Sequence, residues 1–73
     1  MTPDTLRAAG ELLYGPRWQS DLARALGVGD RRIREWMAEE RSIPAGVGPE
    51  IAALWRDRVA AGATLLPRLE NAA

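Results

Sequence analysis

The fold of this chain is decided by residues 18–37, which read Trp18-Gln19-Ser20-Asp21-Leu22-Ala23-Arg24-Ala25-Leu26-Gly27-Val28-Gly29-Asp30-Arg31-Arg32-Ile33-Arg34-Glu35-Trp36-Met37. Leu22 and Leu26 recur at the four-residue spacing of a helix face. Gly27 can adopt a left-handed conformation at little cost, and Val28 is expected to fill the core beneath it. The stretch predicts two short helices joined by a tight glycine turn.

The second of these helices is predicted to begin at Gly29 or Asp30 and to carry opposite chemistry on its two sides. At 100° per residue, Ile33, Trp36 and Met37 fall on one inward stripe. The outer side holds Arg31, Arg34, Glu35 and Ala38, with Arg32 beside them. A charged outer side is ordinary for any surface helix, and an Arg31–Glu35 ion pair would contribute only tenths of a kcal/mol. Because a helix and a tight turn precede it, this pattern also fits the second helix of a helix-turn-helix, which enters the major groove of DNA.

Composition limits the remaining possibilities. The 73 residues carry ten basic and ten acidic side chains, with no cysteine and no histidine. Disulfides, thiolate zinc sites and the usual general base are therefore excluded. We expect a single domain over residues 1–73, no enzyme activity, and no metal, cofactor or small-molecule ligand. Every basic residue is an arginine, which suits paired hydrogen bonds to guanine or phosphate, although a coding bias would give the same choice.

The apolar runs are shorter than the roughly 20 residues that cross a membrane, and no signal peptide is recognisable. A chain that starts at Met1 and lacks both features suits a complete small cytoplasmic protein. A domain of this size is marginally stable alone, so we expect oligomerisation to reinforce it.

The first helix is predicted over residues 3–14. Thr2 supplies a hydroxyl cap, and Gly15, followed by proline, ends the helix. Gly10 either weakens the helix by about 1 kcal/mol or marks a close approach of a neighbour. The apolar face is expected to contain Leu6, Ala9, Leu12, Leu13 and Tyr14.

The C-terminal part begins with a loop over residues 41–48, after which Gly48-Pro49-Glu50 predicts another helix start. Gly62 is expected to weaken or end this helix, and Pro67 to prevent the tail from being one uninterrupted helix. The solvated side is expected to hold residues 56–58, and the apolar stripe to contain Ile51, Leu54, Trp55 and Val59.

Leucines near the C-terminus form the last apolar group. They either contact a second copy of the chain or pack back on the first helix. The candidate dimer contact comprises Trp55, Val59, Leu65, Leu66 and Leu69.

A family resemblance rests on Gln19, Leu22-Ala23, Leu26-Gly27-Val28, Ile33 and Trp36. These residues resemble the helix-turn-helix of the Cro/C1-type (XRE-like) phage and bacterial repressors. The motif covers about a quarter of the chain, and the helical framework extends the likeness to most of it. One departure is Gly29, where the family usually has a serine or threonine cap; glycine there costs only a few tenths of a kcal/mol. Another departure is the presence of three acidic residues soon after the arginines in the sequence, at Glu35, Glu39 and Glu40.

The resemblance implies an all-α, compact four- to five-helix domain that is lambda-repressor-like. The helix-turn-helix motif would lie at about 18–38, and residues 49–71 would cover the core and form the dimer contact. It implies a homodimeric repressor of double-stranded DNA that reads an inverted-repeat operator with the helix at about 30–38. Family members of this size control their own operons in phages and mobile elements, including toxin–antitoxin and anti-CRISPR loci. The residues that the resemblance assigns to DNA are Gln19, Ser20, Asp30, Arg31, Arg32, Arg34 and Arg41.

Two of these residues have ordinary structural interpretations as well. Asp30 either stabilises the helix through its dipole or accepts a hydrogen bond from a cytosine amino group. Gln19 either fixes a phosphate or is an exposed amide near a helix end. An alternative for the whole chain is a protein-binding adaptor that keeps the fold without reading DNA, which the zero net charge and the nearby glutamates favour.

Overall fold

The computed structural model describes residues 1–72, and all of its regular structure is helical. The order is α1 (Pro3–Tyr14), a 3-10 turn (Gly15–Arg17), α2 (Trp18–Leu26), α3 (Asp30–Met37) and α4 (Val47–Glu70). The predicted all-α class is therefore confirmed. Within the described range, none of the helices combines the length and apolar character that a membrane span requires.

Helix α1 has the predicted bounds and the predicted caps. The hydroxyl of Thr2 accepts a hydrogen bond from the Thr5 N–H at 3.2 Å, and Gly15 ends the helix with φ 81°. Leu6 and Leu13 are buried, as their spacing predicts. The assignment of Leu12 to the same face is wrong: it is 74% exposed, because six residues of helix rotate it about 120° away from Leu6.

Gly10 is the point at which α1 meets the start of α2. The ring of Trp18, itself buried, lies directly on the position that a Gly10 Cβ would occupy. Of the two interpretations of this glycine, the close approach is therefore confirmed. The missing side chain makes room for the largest residue of α2.

We expect Gly10→Ala to destabilise the domain. Overpacking against the buried ring costs about 1–3 kcal/mol, which outweighs a gain of about 1 kcal/mol in helix propensity. Thermal unfolding of the two proteins measures the difference. Gly48→Ala is the matched control, because a methyl group at this other helical glycine would meet only the end of the Met1 side chain, at an ordinary contact distance of 3.4 Å, in the described part of the chain. A higher midpoint for Gly10→Ala than for the parent would contradict the packing argument.

The core draws apolar residues from all four helices. Ile33 and Trp36 on α3 are at most 2% exposed, and Met37 completes the inward stripe at half-burial. In the described residues, no charged or polar side chain is buried. The buried set is Leu6, Leu13, Trp18, Leu22, Ala23, Ile33, Trp36, Val47 and Ile51.

Helix α4 corrects the prediction for the C-terminal part. It begins at Val47, passes through Gly62 and Pro67 without interruption, and ends at Glu70 after 24 residues. Glycine lowers helix propensity but does not forbid the conformation. Pro67 lies within the last turn, so only one backbone donor is lost, and its carbonyl still accepts the Asn71 N–H at 3.1 Å.

The length of α4 makes the molecule elongated. Its largest extent is 50 Å and its radius of gyration is 14.4 Å, against about 11 Å for a compact domain of this size. The expectation of a compact domain is therefore wrong. From Arg56 to Ala72 every described residue is exposed, so the second half of α4 extends beyond the core.

One hydrogen bond marks the place where α4 leaves the core. The Arg58 guanidinium donates to the Leu13 carbonyl at 3.0 Å, near the C-terminal end of α1. The helical pattern predicts Arg58 on a solvated side and does not indicate this contact. The interaction is favourable because the last carbonyls of a helix have no partner within it and carry partial negative charge.

Candidate nucleic-acid interface

Helices α2 and α3 are joined by the turn that the sequence predicts. Gly27 has φ 71° and ψ 28°, in the left-handed region, and the Val28 N–H donates to the Ala23 carbonyl at 2.9 Å. Ala23 is 1% exposed, so a larger side chain there would push against the core. Because Ala23 and Gly27 are small, only three residues are needed between the end of α2 and the start of α3.

The start of α3 is fixed to the start of α2 by a side-chain hydrogen bond. The Ser20 hydroxyl donates to the Asp30 carboxylate at 2.8 Å. Asp30 occupies the first turn of α3, where a negative charge is stabilised by the helix dipole, and Gly29 precedes it as a cap without a side chain. The structure thus joins two predicted DNA residues to each other, which adds a structural role to each.

The outer side of α3 is open to solvent. The side chain of Arg31 is 85% exposed, and Arg34 is exposed as well, while Ile33 between them is fully buried. The protein's own helices therefore leave these guanidinium groups uncovered. The helix separates an apolar inner face from a cationic outer face.

A single carboxylate gathers three of the arginines. Glu35 lies 3.4 Å from Arg41, 3.6 Å from Arg32 and 4.0 Å from Arg31, and only 20% of its side chain is exposed. We call these four residues the Glu35 cluster. Three positive charges meet one negative charge, so the cluster keeps a net positive charge. Together with Gly29 it lines an open groove of about 330 Å³.

Arg41 reaches this cluster through the chain reversal after α3. The N–H groups of Glu39 and Glu40 donate to the carbonyls of Trp36 and Glu35 at 3.2 and 2.9 Å, and Glu39 has φ 59°. This pattern is a Schellman motif, in which glycine usually takes the left-handed position. The Arg41 N–H also donates to the Glu35 carbonyl, at 3.3 Å. The sequence suggests Arg41 as a loop contact, but it does not reveal that Glu35 joins it to Arg31 and Arg32.

The start of α2 differs from a free helix end. The 3-10 turn runs directly into it, and the Trp18 N–H donates to the Gly15 carbonyl. The Trp18 N–H is therefore not free to bind a phosphate. Gln19 is half-buried at this end, and Ser20, which contacts Asp30, is exposed.

The candidate dimer residues all lie on α4. Trp55 is half-buried at the edge of the core. Packing of the C-terminal leucines on α1, one of the two alternatives, is not what the structure shows, because the helix carries them beyond the core. The exposed fractions are 64% for Val59, 45% for Leu65, 55% for Leu66 and 60% for Leu69.

Comparisons of the chain with protein-family models, with curated proteins and with solved structures found no match.

Proposed function

We propose that this chain is a sequence-specific DNA-binding regulator, acting as a homodimeric repressor that inserts α3 into the major groove. The observation that carries the proposal is the division of α3. Ile33 and Trp36 anchor it in the core, and Arg31 and Arg34 extend from its opposite side into solvent. An exposed arginine guanidinium on the second helix of a helix-turn-helix can form two hydrogen bonds with a guanine edge.

The other charged residues suit contacts with the DNA backbone. Arg32 and Arg41 flank the outer side of α3 within the Glu35 cluster, where they can approach phosphates on the edges of the groove. Gln19 and Ser20 would meet a phosphate at the start of α2. Asp30, which accepts a hydrogen bond from the Ser20 hydroxyl, would hold the start of α2 in place, or it would accept a hydrogen bond from a cytosine amino group.

Selection of bound sequences from a random DNA pool tests the proposal. We expect the selected sites to share an inverted repeat and to bind in the nanomolar range, at least 10³-fold more tightly than random duplex at physiological salt. A gel shift with the DNA upstream of the coding sequence tests control of its own operon. Absence of any preference over random duplex would overturn the proposal.

The Glu35 cluster predicts a specific effect of charge. In the free protein the Glu35 carboxylate occupies the position of a phosphate for Arg31, Arg32 and Arg41, so DNA must compete with it. We expect Glu35→Gln to raise affinity for random duplex about threefold to tenfold at low salt and to steepen the salt dependence. Titrations at several salt concentrations measure both quantities.

Glu40→Gln is the control for that experiment. It removes the same charge from a residue beyond the end of α3 that is not a member of the Glu35 cluster. We expect its effect to be less than half as large. Equal effects of the two substitutions would show that only net charge matters and that the cluster does not restrain the arginines.

A protein-binding adaptor is the second candidate. Its specific support is that Glu35 pairs with three of the arginines, in a chain whose net charge is zero. An adaptor should show only weak binding to any duplex, without the steep salt dependence of phosphate neutralisation, together with a defined complex with a partner protein. The DNA selection therefore discriminates between the two functions.

A further inference from the structure

The second half of α4 carries an apolar stripe that nothing covers in the single chain, as far as the described residues extend. We call residues 55–70 the arm. Its apolar and small residues follow one another at spacings of four and three, the repeat by which two helices form a coiled coil. In chain order they are Trp55, Val59, Gly62, Leu66 and Leu69, and Leu65 borders the stripe.

One edge of this stripe continues the helix face that the core already buries. Leu65 lies 18 residues after Val47, and Leu69 lies 18 residues after Ile51, which corresponds to five full turns of an α-helix. Val47 and Ile51 are 7% and 4% exposed, whereas the two leucines are about half exposed. The same line of the helix is therefore buried at one end and uncovered at the other. A continuous buried face requires a second surface beyond the core.

We propose that the arm packs antiparallel against the arm of a second copy of this chain. A second copy supplies an equally long apolar stripe. The inference deepens the proposed homodimer by stating which surface forms it and in which orientation.

Charge determines the orientation. In an antiparallel pair centred near residue 63, Arg56 of each copy lies beside Glu70 of the other, and the two-fold axis produces this contact twice. In a parallel pair, the residue after a stripe residue instead faces the residue five positions earlier on the other copy, so Arg56 would lie beside Ile51 and Glu70 beside Leu65. Within the described chain, neither residue takes part in an ion pair. Opposite charges beside the stripe thus favour the antiparallel arrangement.

Small and large residues along the arm fit the same arrangement. Gly62 lies near the centre, where the absence of a side chain lets the two helices approach closely. Around the position that a Cβ of Gly62 would occupy, no other atom of residues 1–72 lies within 4 Å. Pro67 is not a member of the stripe.

The geometry has a consequence that rests on the proposed DNA-binding function. At 1.5 Å per residue, an axis at residue 63 places the two copies of Ile51, and the cores packed on them, about 36 Å apart along the paired arms. Successive major grooves on one face of DNA lie about 34–36 Å apart. The paired arms would therefore act as a spacer of one helical turn.

Sedimentation of the full chain without DNA tests the pairing, over about 1–300 μM. We expect a dimer with a dissociation constant on the order of 10 μM, because the stripe is smaller than a standard stable interface. Leu66→Asp should weaken the dimer at least 30-fold, since it buries a charge in the stripe. Leu12→Asp is the control: Leu12 is exposed but lies on α1, and its substitution should leave association within twofold. Circular dichroism of both variants serves to check that they remain helical.

Charge exchange tests the orientation. We expect Arg56→Glu alone and Glu70→Arg alone each to weaken the dimer about tenfold, and the two together to restore it within about threefold. In a parallel pair neither single substitution would weaken association, because neither residue would then face an opposite charge on the other copy. Such a result would overturn the antiparallel arrangement.

A chain that remains monomeric at 300 μM, or a dimer that Leu66→Asp leaves intact, would overturn the pairing itself. Neither experiment contains DNA. A monomer that still selects one specific half-site would therefore refute the arm and leave the proposed DNA-binding function standing, whereas a dimer without DNA preference would do the reverse.

Discussion

Trp36→Ala should remove a large part of the stability of this domain. Trp36 is 2% exposed and is the largest of the fully buried side chains, so its truncation leaves a cavity between α3 and the rest of the core. Substitutions of this kind cost about 3–5 kcal/mol. A domain of this size has only about 4–10 kcal/mol in total. We therefore expect a variant that is close to its unfolding transition at room temperature.

Denaturant unfolding followed by circular dichroism measures this loss. Trp55→Ala is the matched control, because Trp55 is only half-buried at the edge of the core. We expect it to cost less than about 1.5 kcal/mol in the monomer. Similar losses for the two variants would show that α3 is not anchored as described, and the division of α3 into two faces would lose its basis.

Arg34→Ala should have the largest effect on DNA recognition. Arg34 is exposed on the outer side of α3 and is not a member of the Glu35 cluster. Its guanidinium can therefore meet a base edge without first leaving a carboxylate. We expect the affinity for the selected site to fall by about 1–3 kcal/mol, roughly fivefold to 150-fold, and the preference at one base pair to relax.

Competition between selected and random duplex at fixed salt measures this effect. Arg24→Ala is a control of equal charge: Arg24 is exposed on α2 and pairs with Asp21 at 3.4 Å. It should change the affinity for both duplexes alike and only slightly. Unchanged affinity and unchanged base preference in Arg34→Ala would remove Arg34 from the site.

The features that the sequence predicts correctly depend on short-range rules. The bounds of α1 follow from the Thr2 cap and from Gly15. The positive φ of Gly27 follows from the need for a tight turn, and the burial of Ile33 and Trp36 follows from helical spacing. Each of these depends on residues within a few positions of one another, where cap chemistry and periodicity decide the conformation.

The features that could not be predicted depend on contacts between distant residues or on weak local preferences that are overridden. Arg58 donates to Leu13, 45 residues earlier in the chain, and no local pattern indicates this partner. Arg41 joins the Glu35 cluster after a chain reversal in which Glu39 takes a left-handed conformation that sequence rules usually assign to glycine. The continuation of α4 through Gly62 and Pro67 likewise contradicts local propensity.

The hydrogen bond between Arg58 and Leu13 separates two parts of the molecule that differ in local stability. Before it, the amide groups of α1, α2 and α3 surround a shared core and should exchange their protons with solvent only through rare, cooperative opening. Beyond it, in the single chain, α4 has only its own backbone to preserve it, and a helix of about a dozen residues in water is marginal. The C-terminal half of α4 should therefore fray and refold many times within the lifetime of one folded core.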